Sequence, residues 1–195
     1  PINWAIINRE QKTGVTTFFI DEKIDTGEII FSEEVAIEAR ETVGSLHDKL
    51  MIVGSDLVLK TVDAIANGRV HTQPQPKGDA FKSAPKLSNE NTKIDFNQPV
   101  AQIDALVRGL SPFPVAWCYL LQADEKQKVK IYRTTYEVLE HDDQIGHIRA
   151  TKKTISVACI DGYLYIKELQ LPGKRKMDAA SLLNGFSFEN DAKLV

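Results

Sequence analysis

The sequence predicts an α/β unit followed by a small β-barrel, and three observations carry that reading. Residues 1–70 mix strand-like and helical apolar patterns. Residues 71–91 shift abruptly to Pro, Gln, Lys, Gly, Ser and Asn. The remainder holds five short strand patterns in about 55 residues, which favours a small barrel or sandwich. With 195 residues, 43% hydrophobic and 26% charged, the chain is large enough for one big domain or two small ones, and the composition shift divides it.

In the first unit, Ile2, Ala5, Ile6 and Ile7 predict the end of a helix, followed by a turn at Thr13-Gly14. Residues 15–20 are all β-branched or aromatic and predict a largely buried strand. Residues 21–27 form a polar loop ending in Asp25-Thr26-Gly27, and residues 28–31 and 34–37 read as two short strands. Thr42 begins a long helix whose buried stripe is Leu46, Leu50, Val53, Leu57 and Ile65, and Asn67-Gly68 ends it.

Residues 71–96 are expected to be an interdomain linker, extended around Pro74, Pro76 and Pro85. The domains are therefore 1–70 and 97–195. In the second, Asn97 is expected to cap a helix with Pro99 in its first turn, and Ile103, Leu106, Val107 and Leu110 form its buried face before Ser111-Pro112 stops it. Strands are predicted at 116–121, 129–138, 146–150, 154–160 and 163–171, then a helical turn at 181–185. By strand count an OB-like barrel fits best.

Several function classes are set aside. No stretch approaches the roughly 20 apolar residues of a membrane span, and the N-terminus lacks the order of a signal peptide, so a cytoplasmic protein without a membrane partner is expected. The chain opens on Pro1-Ile2-Asn3-Trp4 with a helical apolar pattern already running, which predicts a fragment. Cys118 and Cys159 lack CxxC spacing and read as buried small hydrophobes. His47, His71, His141 and His147 are scattered, so no metal site is predicted. Net charge is −3, divided as 8 Lys and Arg against 13 Asp and Glu in residues 1–81, and 16 against 14 in residues 82–195. That balance does not announce nucleic-acid binding. The basic residues do cluster, at Lys126, Lys128, Lys130 and Arg133, at Arg149, Lys152 and Lys153, and at Lys174-Arg175-Lys176. Phe113, Trp117 and Tyr119 read as core rather than as base-stacking platforms.

An isolated Asp-Thr-Gly is most often only a turn. Here Thr13-Gly-Val-Thr precedes it at the separation seen in folate-dependent formyltransferases, whose motif is TGVT, about six apolar positions, then DxGxDTG. The segment resembles that family, with Lys23 where glycine is common. Ala84-Pro-Lys-Leu-Ser-Asn-Glu90, Ile94-Asp95-Phe96, Arg108-Gly-Leu-Ser-Pro-Phe-Pro-Val-Ala-Trp117, Pro172-Gly-Lys-Arg-Lys-Met177 and Leu183-Asn-Gly185 resemble the methionyl-tRNA formyltransferases, with Phe96 for the commoner tryptophan. The resemblance spans nearly the whole chain.

What the resemblance implies is a remnant of a Rossmann-like formyltransferase domain, then an OB-like domain that contacts tRNA. The intact enzyme would move a formyl group from 10-formyltetrahydrofolate to the amino group of methionyl initiator tRNA, as a monomer and without a metal. Asp25 matches the catalytic carboxylate, which is suited to take a proton from the attacking amine as a tetrahedral centre forms. Asp21, Glu22, Ile24 and Thr26 match the loop that holds the pterin. Lys86, Arg108, Lys152, Lys153, Lys174, Arg175 and Lys176 are the expected tRNA-phosphate contacts. Family members place a catalytic Asn and His ahead of the residue matching Pro1, so little or no turnover is expected of this chain alone. A stand-alone tRNA-binding module and a related folate enzyme with another acceptor are the competing readings.

Overall fold

The computed structural model describes residues 1–22, 26–76 and 82–195. The first unit is built on one hairpin and two helices. Strand β1 (Lys12–Phe18) pairs antiparallel with β2 (Ile29–Ala36), from Lys12 opposite Ala36 to Phe18 opposite Ile29. The sequence reads two short strands where β2 is continuous. Polar Ser32, Glu33 and Glu34 look like a break, but they lie exposed on a pair whose ladder runs on unbroken through them.

Helix α2 (Val43–Ala66) starts where expected, because Thr42 and Ser45 form a reciprocal capping box, and Asn67 closes it. Leu46, Leu50 and Leu57 are buried as predicted, but the stripe then continues through Thr61 and Ala64, leaving Ile65 exposed. Thr61 is tolerated inside because its hydroxyl donates to the Leu57 carbonyl and shares a 2.9 Å hydrogen bond with the Thr17 hydroxyl.

Helix α1 (Ile2–Ile7) belongs to both halves of the molecule. Ile6 packs with Val35, Val43, Leu46 and Leu50, whereas Ile7 enters the core of the second unit. A Cβ on Gly109 would lie 2.5 Å from Ile7 Cγ1 and 3.0 Å from the Asn3 carbonyl oxygen, so only glycine permits this approach. The joining segment is held to both units. Gln73 exchanges backbone hydrogen bonds with Ile29, Trp4 Nε1 donates to the Pro85 carbonyl at 2.7 Å, and Ile94 and Phe96 are buried in the second core. The end of the stretch expected to be linker is thus core, because its apolar residues alternate into the barrel while Lys93 bridges Trp117 in parallel.

Helix α3 (Val100–Leu110) packs across strands β3 (Ala116–Gln122), β4 (Glu125–Val138) and β7 (Gly162–Gln170). Asn97 does not cap it. Asn97 turns back onto the Asp95 carboxylate, Pro99 occupies the N-cap, and the Val100 N–H is satisfied by Asp161 at 2.8 Å. The other strands are β5 (Ile148–Ala150), β6 (Ile155–Cys159), β8 (Met177–Asp178) and, after helix α4 (Ala179–Leu183), β9 (Lys193–Leu194). Among the described residues the order is β5-β6-β7-β4-β3-β9, all antiparallel, with β8 on β7. Leu194 N–H donating to the Gly146 carbonyl and Ile148 N–H donating to Ala192 bring the last strand back to the first, leaving the sheet nearly closed. Its interior is filled by Val107, Leu110, Cys118, Leu120, Ile131, Val157, Leu164 and Ile166. Strand β4 begins earlier than expected, because Ala123 and Asp124 both have positive φ and make a two-residue hairpin that pairs Gln122 with Glu125.

Candidate functional site

The β1–β2 connection carries the residues expected at the folate loop. Asp25 and Ile24, with Lys23, lie outside the described residues. Around them the loop is anchored at both ends. Phe19 N–H donates to the Glu28 carbonyl at 3.0 Å, and the Thr26 hydroxyl lies within hydrogen-bonding distance of both Asp21 oxygens, at 2.7 and 2.9 Å. Gly27 passes so close to Phe19 that a Cβ would sit 1.4 Å from its carbonyl oxygen. Gln75 Nε2 donates to the Gly27 carbonyl at 2.9 Å, and the Thr72 hydroxyl donates to Glu28. The chain leaving α2 therefore buttresses the loop, a contribution that its Pro-rich composition does not reveal. Asp21 and Glu22 are exposed, as is Ile20 at 92%.

The basic residues separate into three groups. Lys152 and Lys153 are exposed in the β5–β6 turn, which is fixed by hydrogen bonds from the Lys153 and Thr154 N–H groups to the Thr151 hydroxyl. Lys174, Arg175 and Lys176 are exposed in the β7–β8 turn. There Gln170 Nε2 donates to the Lys174 carbonyl at 2.8 Å, and Lys176 pairs with Glu168 at 3.1 Å. Burial works against ionisation of Glu168, but the Lys176 hydrogen bond and the charges of Arg133 and Lys176 outweigh it and lower its pKa. Lys86 is exposed on the joining segment, where its carbonyl accepts from Asn91.

Arg108, also expected at the tRNA, differs from the other cations in being held inside a hydrogen-bonded cluster. Its Nε donates to Asp104 at 2.8 Å and its Nη1 to the Glu41 carbonyl at 3.0 Å, with the side chain mostly buried. Asp104, 1% exposed at its side chain, also accepts from Arg40 and from the Thr134 hydroxyl. This cluster ties the β2–α2 connection to α3 and β4. Nothing in its sequence spacing, beyond the Asp104–Arg108 helical step, announces it.

Phe113 is 80% exposed, so the expectation that it is core is overturned. The residue lies in the Ser111–Val115 turn, which leaves the helix before β3 begins. Trp117 is buried, with Nε1 near the Asn89 carbonyl and the Thr92 hydroxyl, and Tyr119 is half-buried. Both lie on the outer face of β3, beneath lysines of β4. Burial pushes the Cys118 and Cys159 thiols up to about 12, consistent with inert core positions. Among the described residues no group of three His, Cys, Asp or Glu side chains is arranged to hold a metal ion, and no helix is long and apolar enough to cross a membrane.

The chain matches the family model for the formyl transferase C-terminal domain over residues 86–187 and that for formyl transferase over residues 1–62. It is 52% identical, over 98% of its length, to a methionyl-tRNA formyltransferase of Flavobacterium psychrophilum, and covers 61% of that protein. It is 48% identical, over 100% of its length, to the enzyme of the same name from Flavobacterium johnsoniae, and covers 62% of it. The chain therefore spans less than two thirds of these relatives. Its fold is similar to that of HypX from Aquifex aeolicus in complex with tetrahydrofolic acid, with a TM-score of 0.64 at 19% identity, covering 93% of this chain and 32% of that one.

Proposed function

Because the chain belongs to the formyl transferase family, we propose that the whole protein transfers a formyl group from 10-formyltetrahydrofolate to the amino group of methionyl initiator tRNA. The observation that carries this reading is identity of 52% and 48% to methionyl-tRNA formyltransferases along essentially all of the chain. HypX, a fold relative described with tetrahydrofolic acid, supports folate as the formyl donor.

In this reading the methionyl nitrogen attacks the formyl carbon, and the tetrahedral centre collapses with loss of the bond to the folate nitrogen. Asp25 accepts the proton the amine sheds, directly or through water, and the departing folate nitrogen takes up a proton. Asp21, Glu22, Ile24 and Thr26 hold the pterin, on a loop kept in place by Gly27 and Gln75. Lys86, Lys152, Lys153, Lys174, Arg175 and Lys176 bind tRNA phosphates, while Arg108 positions the two units. The nearly closed sheet acts as an OB-like module, and residues 1–70 complete a Rossmann-like domain together with further chain. The apolar face that α2 leaves in solvent, with Met51, Ile52, Val58, Leu59 and Val62, supports such packing. The protein works in the cytoplasm as a monomer, and the 195 residues alone bind tRNA without appreciable turnover.

The test supplies 10-formyltetrahydrofolate to the longer protein that contains this chain, with methionyl initiator tRNA or an amino sugar nucleotide as acceptor. Formylation of the tRNA, lost in Asp25→Asn, is expected. Transfer to the sugar alone, or full activity in the variant, would refute the reading.

A further inference from the structure

The cluster Lys126, Lys128 and Lys130 has no part in the assignment above, and the register of the barrel gives it a form that the sequence does not show. Alternation along β4 turns Val129 and Ile131 into the core and Lys126, Lys128 and Lys130 outward. Across the ladder they oppose Leu121, Tyr119 and Trp117 of β3. Each of two lysines reaches diagonally rather than straight across. Lys128 Nζ lies 3.8 Å from the centroid of Trp117, and Lys126 Nζ lies 4.1 Å from that of Tyr119. Lys93, bridged to Trp117 from the other side, brings a third ammonium to 5.7 Å from the Tyr119 ring.

Lysines two residues apart on a strand stand about 6.5–7 Å apart, comparable to successive phosphates along a nucleic-acid strand. The charges are little compensated. Among the described residues none of these four lysines forms an ion pair, whereas Lys12, Lys49, Lys82 and Lys176 each have a carboxylate within 3.1 Å. Acidic groups border the row at Asp124, Glu125 and Asp191 around Lys126 and at Glu90 and Asp95 around Lys93, and Glu168 pairs with Lys176 where the track ends. Glu125 accepts a hydrogen bond from Gln127, and Asp95 is held below the usual carboxylate range first by the Asn97 N–H and then by the amides of Gln98 and Asn97, with Lys93 a smaller contributor.

The row also has a continuation. Tyr132 donates its hydroxyl to Gln170 at 2.9 Å, Gln170 donates to the Lys174 carbonyl, and Lys176 lies 5.3 Å over the Tyr132 ring. Strand β4 thereby links the row to the Lys174-Arg175-Lys176 turn along roughly 20 Å of strand.

We infer that the outer face of β3 and β4 is a track for an RNA backbone, running from Lys126 through Lys128 and Lys130 to the 174–176 turn, with Lys93 flanking it across β3. The track deepens the tRNA reading and rests on it. Lysines cover the faces of Trp117 and Tyr119, so bases cannot stack there. The track reads phosphate charge and is indifferent to sequence.

The experiment titrates the 195-residue chain with deacylated initiator tRNA at several salt concentrations between 50 and 200 mM. The proteins compared are the wild type, a K126Q/K128Q/K130Q variant and a K126R/K128R/K130R variant, all with matched circular dichroism. With three phosphate contacts removed, the slope of log affinity against log salt should shrink in magnitude by about 2 to 3, with affinity falling at least about tenfold at 0.1 M salt. The arginine variant should behave as wild type. If the wild type shows no salt-dependent binding, the tRNA reading itself fails. If the wild type binds but the glutamine variant keeps its slope, or the arginine variant loses it, the track alone is overturned.

Discussion

Asp104→Ala is the perturbation that most directly tests how the two units are joined. The carboxylate accepts from Arg40 Nη1 at 2.9 Å, Arg40 Nη2 at 3.2 Å, Arg108 Nε at 2.8 Å and the Thr134 hydroxyl at 2.8 Å. Removing one partner of a buried ion pair costs about 3–5 kcal/mol, mostly because the remaining charge is stranded. The side chain of Arg108 is 14% exposed and cannot recover with water, whereas that of Arg40, at 50%, recovers much of its share. The loss should therefore sit near the middle of that range, about 4 kcal/mol. At a urea dependence of about 2–3 kcal/mol per molar, the unfolding midpoint falls by about 1.5 M. Thr134→Val, which removes only a neutral hydroxyl, should cost about 1 kcal/mol. Urea titrations followed by tryptophan fluorescence report on both units, since Trp4 lies in α1 and Trp117 in β3. A loss below about 1 kcal/mol for Asp104→Ala, or no greater than that for Thr134→Val, would refute the argument that this carboxylate holds the joint.

Gly27→Ala forces a Cβ against the Phe19 carbonyl at 1.4 Å, so the loop closure must open; the Phe19 amide, bonded to Glu28, should exchange with solvent at least about tenfold faster. With both thiols raised to about 12, each is ionised in only about one molecule in ten thousand at pH 8; Cys118 and Cys159 should react with a thiol reagent only after unfolding, and rapid labelling of the native chain would contradict their burial. The Asp143 carboxyl is held below its ordinary range first by the hydrogen bond from Tyr163 and then, against a burial penalty, by Arg149. Its stabilisation is present above the unfolded carboxylate pKa of about 4 and is lost as pH falls through the lowered folded value, so Asp143→Asn should flatten the fall in melting temperature below pH 4.

Local chemistry was legible where one residue type dictates the backbone. The Thr42 start and Asn67-Gly68 stop of α2, and strands β3, β6 and β7 of the barrel, follow from capping and alternation alone, whereas the short strands β8 and β9 do not. The misreadings share a cause, which is that partners distant in sequence satisfied the local groups. Asn97 looked like a cap, but Asp161 supplies the acceptor from across the fold. Arg108 gave no sign of its burial, because its hydrogen-bond partner besides Asp104, the Glu41 carbonyl, lies 67 residues away. Residues 125–128 lay outside the expected strand at 129–138, and the two-residue hairpin at Ala123-Asp124 brings them into the ladder.

The same distinction bears on how the site divides its labour. The β1–β2 loop can be recognised from contiguous residues, because a tight passage such as Gly27 against Phe19 imposes its spacing on the chain itself. A phosphate-binding face needs only charges at the right separation in space, and any strand register can supply them. Lys126, Lys128 and Lys130 became a row only once β4 was extended to the hairpin, and they joined Lys93 and the 174–176 turn only through the pairing of β4 with β3 and β7. Substitutions that shift the β3–β4 register should therefore disperse the row without removing a single lysine, whereas the β1–β2 loop, held by its own hairpin, should be left intact.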